Sequence, residues 1–527
     1  MNEELLMNAE KASHKWSFEI PPEPIPEDMI SETVHADLVV VGEGFAGLCT
    51  ALSAVEEGAD TVIITGSSRP IGRGGSVHAT YSKIMKAQGY PKQDAEDFYL
   101  QEFAANSYNV DQRKWYKFYN NSETAMDWLI DLLEADGVQV VLENCNHDDP
   151  HSPSNQPIGS HSFVTDEMKA TGIGIMIGLK TLEKNFLQRG GRVFHRTVAK
   201  QLVRNNNGRG RVSAVIAMNA EGKYVKYAAR KGVVLATGDF SANRDMMAKY
   251  CPAYAYGFQD KKSNYNAGFV DGGIQRGDGH LMALWAGAAW QRTFPNAPMI
   301  QGGGMGAHMP YGGNRGLCLN KDGERFMNED CIGAYAVRTI LREPGQTSFA
   351  IWGRNYAYDV ENHRFASLLG SDKISSERLI EEWEQAASRG ALAKGETIEE
   401  VVYGLGLPVD AALASIERYN ESCRAGKDTD FHKKAKYLQE IKDPPFYGST
   451  IDSFRYFTVL GGPRTNHMMQ ICDQDDNPLP GLYAAGSLIG DMFANCYNFR
   501  MAGHTYGCSL TFGYLTGKHI ANNEKGE

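Results

Sequence analysis

Residues 35–65, "HADLVVVGEGFAGLCTALSAVEEGADTVIIT", change their hydrophobic period twice. Val39, Val40 and Val41 form an unbroken apolar run, the pattern of a strand covered on both faces. Past a cluster of glycines, Leu48, Ala51, Leu52 and Val55 recur at three- and four-residue spacing, which is one face of a helix. After Gly58 the run "TVIIT" reads as a second strand. The pattern predicts a β-α-β unit with Gly42, Gly44 and Gly47 as GxGxxG in its strand-to-helix turn.

Downstream, the chain reads as helical and aromatic to about residue 145, then as a polar loop, "NCNHDDPHSPSNQP" (144–157). "GIMIGLKTLEKNFLQRGG" predicts a helix, and "RVFHRTVAKQLV", "RVSAVIAM" and "KYVKYAA" predict strands. A buried strand, "GVVLATGDF" (232–240), closes this region. From about 290 to 445, glycine-rich loops and amphipathic helices such as "SSERLIEEWEQAAS" suggest a second domain. The chain then returns to an apolar run, "GLYAAGSLIG" (481–490), and ends in a helix through "TFGYLTGKHIA". Residues 1–35, polar and proline-spaced through "PPEPIPED", read as an arm.

Composition narrows the classes. With 527 residues, 42% hydrophobic and 22% charged, the chain suits a multi-domain globular enzyme. A formal charge of −11 disfavours a nucleic-acid or anionic-membrane surface. No run of about 18 apolar residues predicts a membrane span. The N-terminus lacks the basic and apolar regions of a secretory signal, so a cytoplasmic location is expected. The nine cysteines include no CxxC or CxxCH pair, which removes local haem-attachment and iron–sulfur signatures, and no metal site is expected. They read as reduced core thiols, with Cys496 the candidate for a reactive one.

The glycine turn sits where a dinucleotide needs it. Gly42 permits the tight turn, Gly44 lets a diphosphate approach the backbone, and Gly47 lets helix and strand pack closely. The motif alone does not separate NAD from FAD. Four further stretches do: "SSRPIGRGGSVHATYS" (67–82), "GVVLATGDFSAN", "RGDGHLMALWAGA" (276–288) and "LNKDGERFMNED" (319–330), with "GLYAAGSLIG" after them. In this order they resemble the FAD-binding superfamily of fumarate reductase and succinate dehydrogenase flavoproteins, L-aspartate oxidase and 3-ketosteroid dehydrogenases.

That resemblance covers about residues 36–520 and implies an α/β fold. A Rossmann-like FAD-binding domain would be built from segments 36–290 and 446–527, with an α+β capping domain inserted over 291–445. It implies FAD contacts from Gly42, Gly44, Phe45, Ala46 and Gly47, and from Thr65 and Gly66 at the end of the second strand. Arg73, Gly74, Gly75 and Ser76 would run along the flavin, Gly238 near the adenosine half, and Asp278 near the ribityl chain. Gly486, Ser487, Gly503 and Thr505 complete the set, the last two opening a helix toward the ring. Two departures matter. Thr65 stands where an acidic residue usually holds the adenosine ribose, and Ser76 stands where covalent members place their histidine. His78 lies two residues on, so non-covalent FAD is expected and His78 reads as a packing residue.

Aligned by "TFG" (511–513), Arg500 falls on a fumarate reductase arginine that holds the substrate carboxylate. A guanidinium fork suits a carboxylate or polarised carbonyl; the alternative is an arginine that bonds backbone carbonyls. The family's histidine, acid and relay do not carry over: "RYFTVLGGPRT" offers Tyr456, Phe457 and Thr458, and eight residues after Arg325 stands Gly333. "AHMPYGGNRG" lacks the relay. Tyr311, Tyr335, Tyr456 and Tyr497 replace them, and Arg500 or Arg338 is expected to lower a tyrosine's pKa into a useful range. Tyr335 and Arg338 would share a helix face, and the catalytic candidates are Arg500, Tyr335, Tyr497 and Arg338.

The expected enzyme is a FAD-dependent oxidoreductase of C=C or CH–CH bonds conjugated to a carbonyl or carboxylate. Its substrate is a small-molecule alkene, a bulky enone or enoate rather than fumarate, and its electron donor or acceptor is a separate one. The alternatives are a 3-ketosteroid dehydrogenase working oxidatively, an amino-acid or hydroxy-acid oxidase, and a non-catalytic electron-transfer flavoprotein.

Overall fold

The computed structural model describes residues 16–143, 156–166, 174–255, 275–303, 316–331, 333–359 and 375–524. The valine run ends a twelve-residue strand, Ile30–Val41, whose last four residues are buried because an apolar cluster covers each face, Val39 and Val41 on one and Leu38 and Val40 on the other. Val40 sits opposite Ile63 of Thr61–Ile64 on one side and opposite Val234 of Tyr224–Leu235 on the other, both in parallel. Arg192–Phe194 extends the sheet past Thr61–Ile64, and Pro478–Ala484 lies parallel to Tyr224–Leu235 at the far side. The main sheet therefore draws strands from the N-terminal half and from near the C-terminus. The covering helices include Phe45–Glu56 and His504–Asn523, which supply much of one apolar layer.

Two expectations are corrected here. The arm does not run to residue 35: Ile30–Ala36 already pairs with Tyr224–Ala229. "KYVKYAA" and "GVVL" are one strand, Tyr224–Leu235, because its first half alternates beside the hairpin strand Val212–Met218 while its second half is buried throughout. A change of burial pattern marked a change of neighbours, not a turn.

A small antiparallel sheet, Val77–His78, Ser160–Val164 and Gln139–Leu142, lies behind the main cleft. A four-stranded antiparallel sheet, Leu317–Leu319, Ser348–Gly353, Phe446–Ile451 and Ala393–Gly395, has its own apolar cluster around Trp352, Trp383 and Tyr447. Its third strand lies beyond residue 445 and pairs with Ser348–Gly353. A buried ion cluster pins this unit: Arg325 lies 2.8 Å from Glu329 and 2.9 Å from Asp428, with Lys433 3.4 Å from Glu329. The ribbon Ala297–Gly303 with Ser453–Leu460 joins it to the main sheet's surroundings. No helix among the described residues is long and apolar enough to cross a membrane.

Candidate functional site

A long cleft opens at the carboxyl ends of the parallel strands, where open α/β sheets hold their ligands. Every cofactor residue read from the sequence lines it except Gly47, which packs behind the turn. The three glycines of the turn do three different jobs. Gly42 has φ +110° and a Cβ there would lie 2.4 Å from Ala236 O. At Gly47 a Cβ would lie 2.0 Å from Gly42 O. At Gly44 the nearest atom would be Ile71 O, 3.9 Å away, so this glycine leaves room on the cleft side.

At the strand ends, Thr65 Oγ1 accepts the Ser67 N–H at 3.2 Å, and its hydroxyl is already engaged in the local turn. A carboxyl is present nearby, but it comes from inside the glycine motif. Glu43 is buried and both its oxygens meet His195 Nε2, at 3.0 and 3.2 Å. Burial first, and the neighbouring Glu183 carboxyl second, push its pKa up to about 9. The ligand atoms of Glu43, Glu183 and His195 lie within 4.8 Å of one another. Sequence reasoning passed over Glu43; the signal was an acid in the first variable slot of GxGxxG.

Further along, Ser76 Oγ donates to Glu143 Oε1 at 2.7 Å, and Ser162 Oγ donates to the same oxygen at 2.5 Å. Burial pushes the Glu143 pKa up to about 8. His78 faces away from the cleft, fully buried, with Nδ1 3.1 Å from Ala502 O and Nε2 3.2 Å from Gln93 Oε1. Burial, reinforced by His504, pulls its pKa down to about 3 and keeps the ring neutral. Arg276 pairs with Asp278 at 2.9 Å, so the Asp278 carboxylate enters the cleft already charge-matched. The helix His504–Asn523 begins at the cleft with Gly503 as its N-cap, which offers no side-chain acceptor to the first N–H groups.

The remaining wall is apolar and aromatic: Met299, Phe457, Thr458, Tyr497 and Phe499. Tyr497 Oη donates to Met501 O at 3.2 Å and accepts the Thr505 N–H at 3.3 Å. Tyr335 and Arg338 do share the helix Gly333–Ile340, but their polar atoms are engaged in supporting the neighbouring segment. Tyr335 Oη donates to Asn498 Oδ1 and accepts the Phe499 N–H; Arg338 donates to Pro298 O and Asn495 O. Neither lines the cleft, nor does half-buried Arg500, among the described residues. Tyr456 is buried in the second unit's cluster, and Tyr311 lies outside the described residues. The expected lowering of tyrosine pKa is overturned: burial raises both Tyr335 and Tyr497 above the ordinary value. Burial likewise raises the Cys496 thiol, which argues against a reactive thiolate. All the described cysteines are free.

A dinucleotide carrying a flat ring fits these residues. The open face of Gly44 and the first amides of Phe45–Glu56 suit a diphosphate. The N-terminus of His504–Asn523, whose N-cap Gly503 carries no side chain, suits an electron-rich ring edge. Buried Gln275 Oε1 at the cleft has no hydrogen-bond partner among the described residues.

Known proteins agree. The model of an FAD binding domain matches residues 37–500. The vinyl phenol reductase of Lactiplantibacillus plantarum is 26% identical over 510 residues, 92% of this chain and 96% of that one. The urocanate reductase of Eggerthella lenta is 26% identical over 519 residues, 94% of this chain and 76% of that one. Among solved structures, a 3-ketosteroid-Δ4-(5α)-dehydrogenase from Rhodococcus jostii RHA1 superposes with a TM-score of 0.71 at 23% identity, covering 95% of this chain and all of that one. The open form of a flavocytochrome c3 fumarate reductase gives 0.65 at 22% identity, covering 99% and 81%; at these identities the two structures support the fold alone. With a glycine turn, a helix N-terminus and an aromatic wall along one cleft, and a domain match that spans nearly all of it, the chain belongs to the FAD-binding-domain family and is a FAD-dependent oxidoreductase.

Proposed function

We propose that this enzyme reduces a carbon–carbon double bond conjugated to a carbonyl or carboxylate in a substrate with an apolar, aromatic body. The observation that carries this reading is the wall of Met299, Phe457, Tyr497 and Phe499 at the ring end of the cleft. A small dicarboxylate needs charged partners at both ends, whereas this wall favours a flat apolar group. The relatives act on C=C or CH–CH bonds, which supports the reaction class.

FAD, held in this cleft without a covalent link, would supply the hydride for the β carbon. The protein's own residues do the rest. The glycine turn binds the diphosphate, and the N-terminus of His504–Asn523 orients the ring and favours negative charge on it. The aromatic wall excludes water and sets the alkene flat. Arg500, between the cleft-lining Phe499 and Ala502, is the cation we assign to the carbonyl or carboxylate and the enolate. Tyr497, whose hydroxyl donates to Met501 O and accepts the Thr505 N–H, holds the first turn of the helix His504–Asn523 against the aromatic wall. Tyr335 and Arg338 hold the segment that bears Arg500. The four-stranded unit caps the substrate side, electrons arrive from a separate donor, and the enzyme works in the cytoplasm.

Anaerobic photoreduction of the FAD-loaded protein, followed by a panel of enones, aryl enoates, vinyl arenes and ketosteroids, tests this reading. Reoxidation by one aromatic class is expected, and Arg500→Ala abolishes it with FAD still bound. Reoxidation by oxygen and amino acids but by no alkene would overturn the proposal.

A further inference from the structure

The helix Ala95–Ala105 carries one fully buried charged side chain, Glu102, beside Phe98 and Phe103. Its Oε1 accepts a hydrogen bond from Asn498 Nδ2 at 2.7 Å and lies 3.0 Å from His504 Nδ1. Asn498 turns its other amide atom the opposite way, so that Oδ1 accepts the Arg500 N–H at 3.1 Å and the Tyr335 hydroxyl at 3.2 Å. Tyr335 in turn accepts the Phe499 N–H at 2.8 Å. His504 is the first residue of the C-terminal helix and sits among Trp115, Phe118, His78 and Phe98, with ring centroids at 4.7, 4.8, 5.0 and 5.7 Å.

We propose that Glu102 is a positioning residue which, through Asn498 and His504, sets the backbone that bears Arg500 and the first turn of the helix facing the flavin ring. An amide has a donor end and an acceptor end, and nothing in its shape decides which way it points. Glu102 and the Arg500 N–H set it together: the NH₂ end meets Glu102 Oε1 at 2.7 Å, and Oδ1 accepts the Arg500 N–H and the Tyr335 O–H. The neighbouring turn makes the same kind of contact: Asn106 Oδ1 accepts the Ala494 N–H at 2.7 Å. The helix thus holds the 494–504 segment at two points, and the segment has no regular structure of its own before residue 504. The inference rests on the flavin and Arg500 roles proposed above.

A swap of the two functional groups tests it. Asn498→Asp replaces the NH₂ donor with a second carboxyl oxygen, so that acceptor faces acceptor once the shared proton is lost, and the assays are therefore run at alkaline pH. Adding Glu102→Gln restores a donor–acceptor pair with its direction reversed. We expect Asn498→Asp to lower kcat for alkene reduction by about tenfold or more, the effect of one lost buried hydrogen bond. It should also weaken binding of the saturated product, read from the perturbed flavin spectrum. The double variant should recover both to within about threefold of the parent. Without substrate, the absorption band of bound FAD should shift in the single variant and return in the double one. If Asn498→Asp does not fold, recovery of FAD-loaded protein in the double variant is the same rescue. A single variant that behaves as the parent, or a double variant no better than the single, overturns the positioning role. Failure of the parent with every alkene, while the absorption band still follows the swap, would instead refute the reductase reading.

Discussion

The glycine turn yields a prediction that separates folding from cofactor binding at residues three apart. At Gly47 an added methyl would lie 2.0 Å from Gly42 O and 3.1 Å from Gly42 C, both backbone atoms that cannot turn aside. Overpacking of this kind costs about 1–3 kcal/mol, with the upper end expected because the overlap is with main chain. Gly44 is a different case. Its φ of −80° is open to any residue, and its Cβ would meet only Ile71 O at 3.9 Å. Gly44→Ala should therefore leave the apoprotein within about 0.5 kcal/mol of the parent. The methyl would occupy the face where the diphosphate reaches the backbone. Losing one charge-assisted N–H to phosphate bond costs about 1.5–3 kcal/mol, which weakens FAD binding about 10- to 150-fold. The assays are thermal melting of the stripped apoprotein and titration of FAD fluorescence. Gly47→Ala should lower the apoprotein melt, whereas Gly44→Ala should change only the titration. If Gly44→Ala destabilises the apoprotein as Gly47→Ala does, or binds FAD as the parent does, the assigned roles are wrong.

Two further outcomes follow from buried charge. Glu143 has its pKa raised by burial from 4.5 to about 8. Between those values the folded protein keeps a proton that the unfolded chain has released, so this contribution is complete below pH 4.5 and is lost as pH rises toward 8, at up to about 1.4 kcal/mol per pH unit. Glu143→Gln removes the slope, and its melting advantage over the parent should widen between pH 5 and pH 8; a constant gap refutes the assignment. Arg325→Met leaves Glu329 and Asp428 buried with Lys433 as their remaining cation. It should cost about 3–5 kcal/mol in the second unit, with the flavin spectrum unchanged; a loss below about 1 kcal/mol in denaturant unfolding would contradict the buried triad.

The β-α-β unit, the helices Ile175–Gln188 and Ser376–Ser388 and the final helix were legible because each is a local hydrophobic period with its own glycine or polar boundary. So was the glycine turn, since GxGxxG is read from contiguous residues, of which Gly42 and Gly44 line the cleft. The join between "KYVKYAA" and "GVVL" was not, because strand length depends on which neighbours pair with it. Nor was the first strand's start at Ile30, whose partner lies almost two hundred residues away.

The sequence by itself determined the dinucleotide turn, the strands that carry it and the placing of an arginine among aromatic residues near the C-terminus. Only the tertiary structure decided which polar groups act there. Tyr335 looked like a proton donor until its hydroxyl was found bonded to Asn498 and Phe499. Glu43, Glu102 and Glu143 were unremarkable letters until burial placed each carboxyl against a histidine, an amide or serine hydroxyls. The reason is physical: hydrophobic period and glycine geometry act over a few residues, whereas a side chain's hydrogen-bond partner and dielectric surroundings come from segments brought together only by the fold.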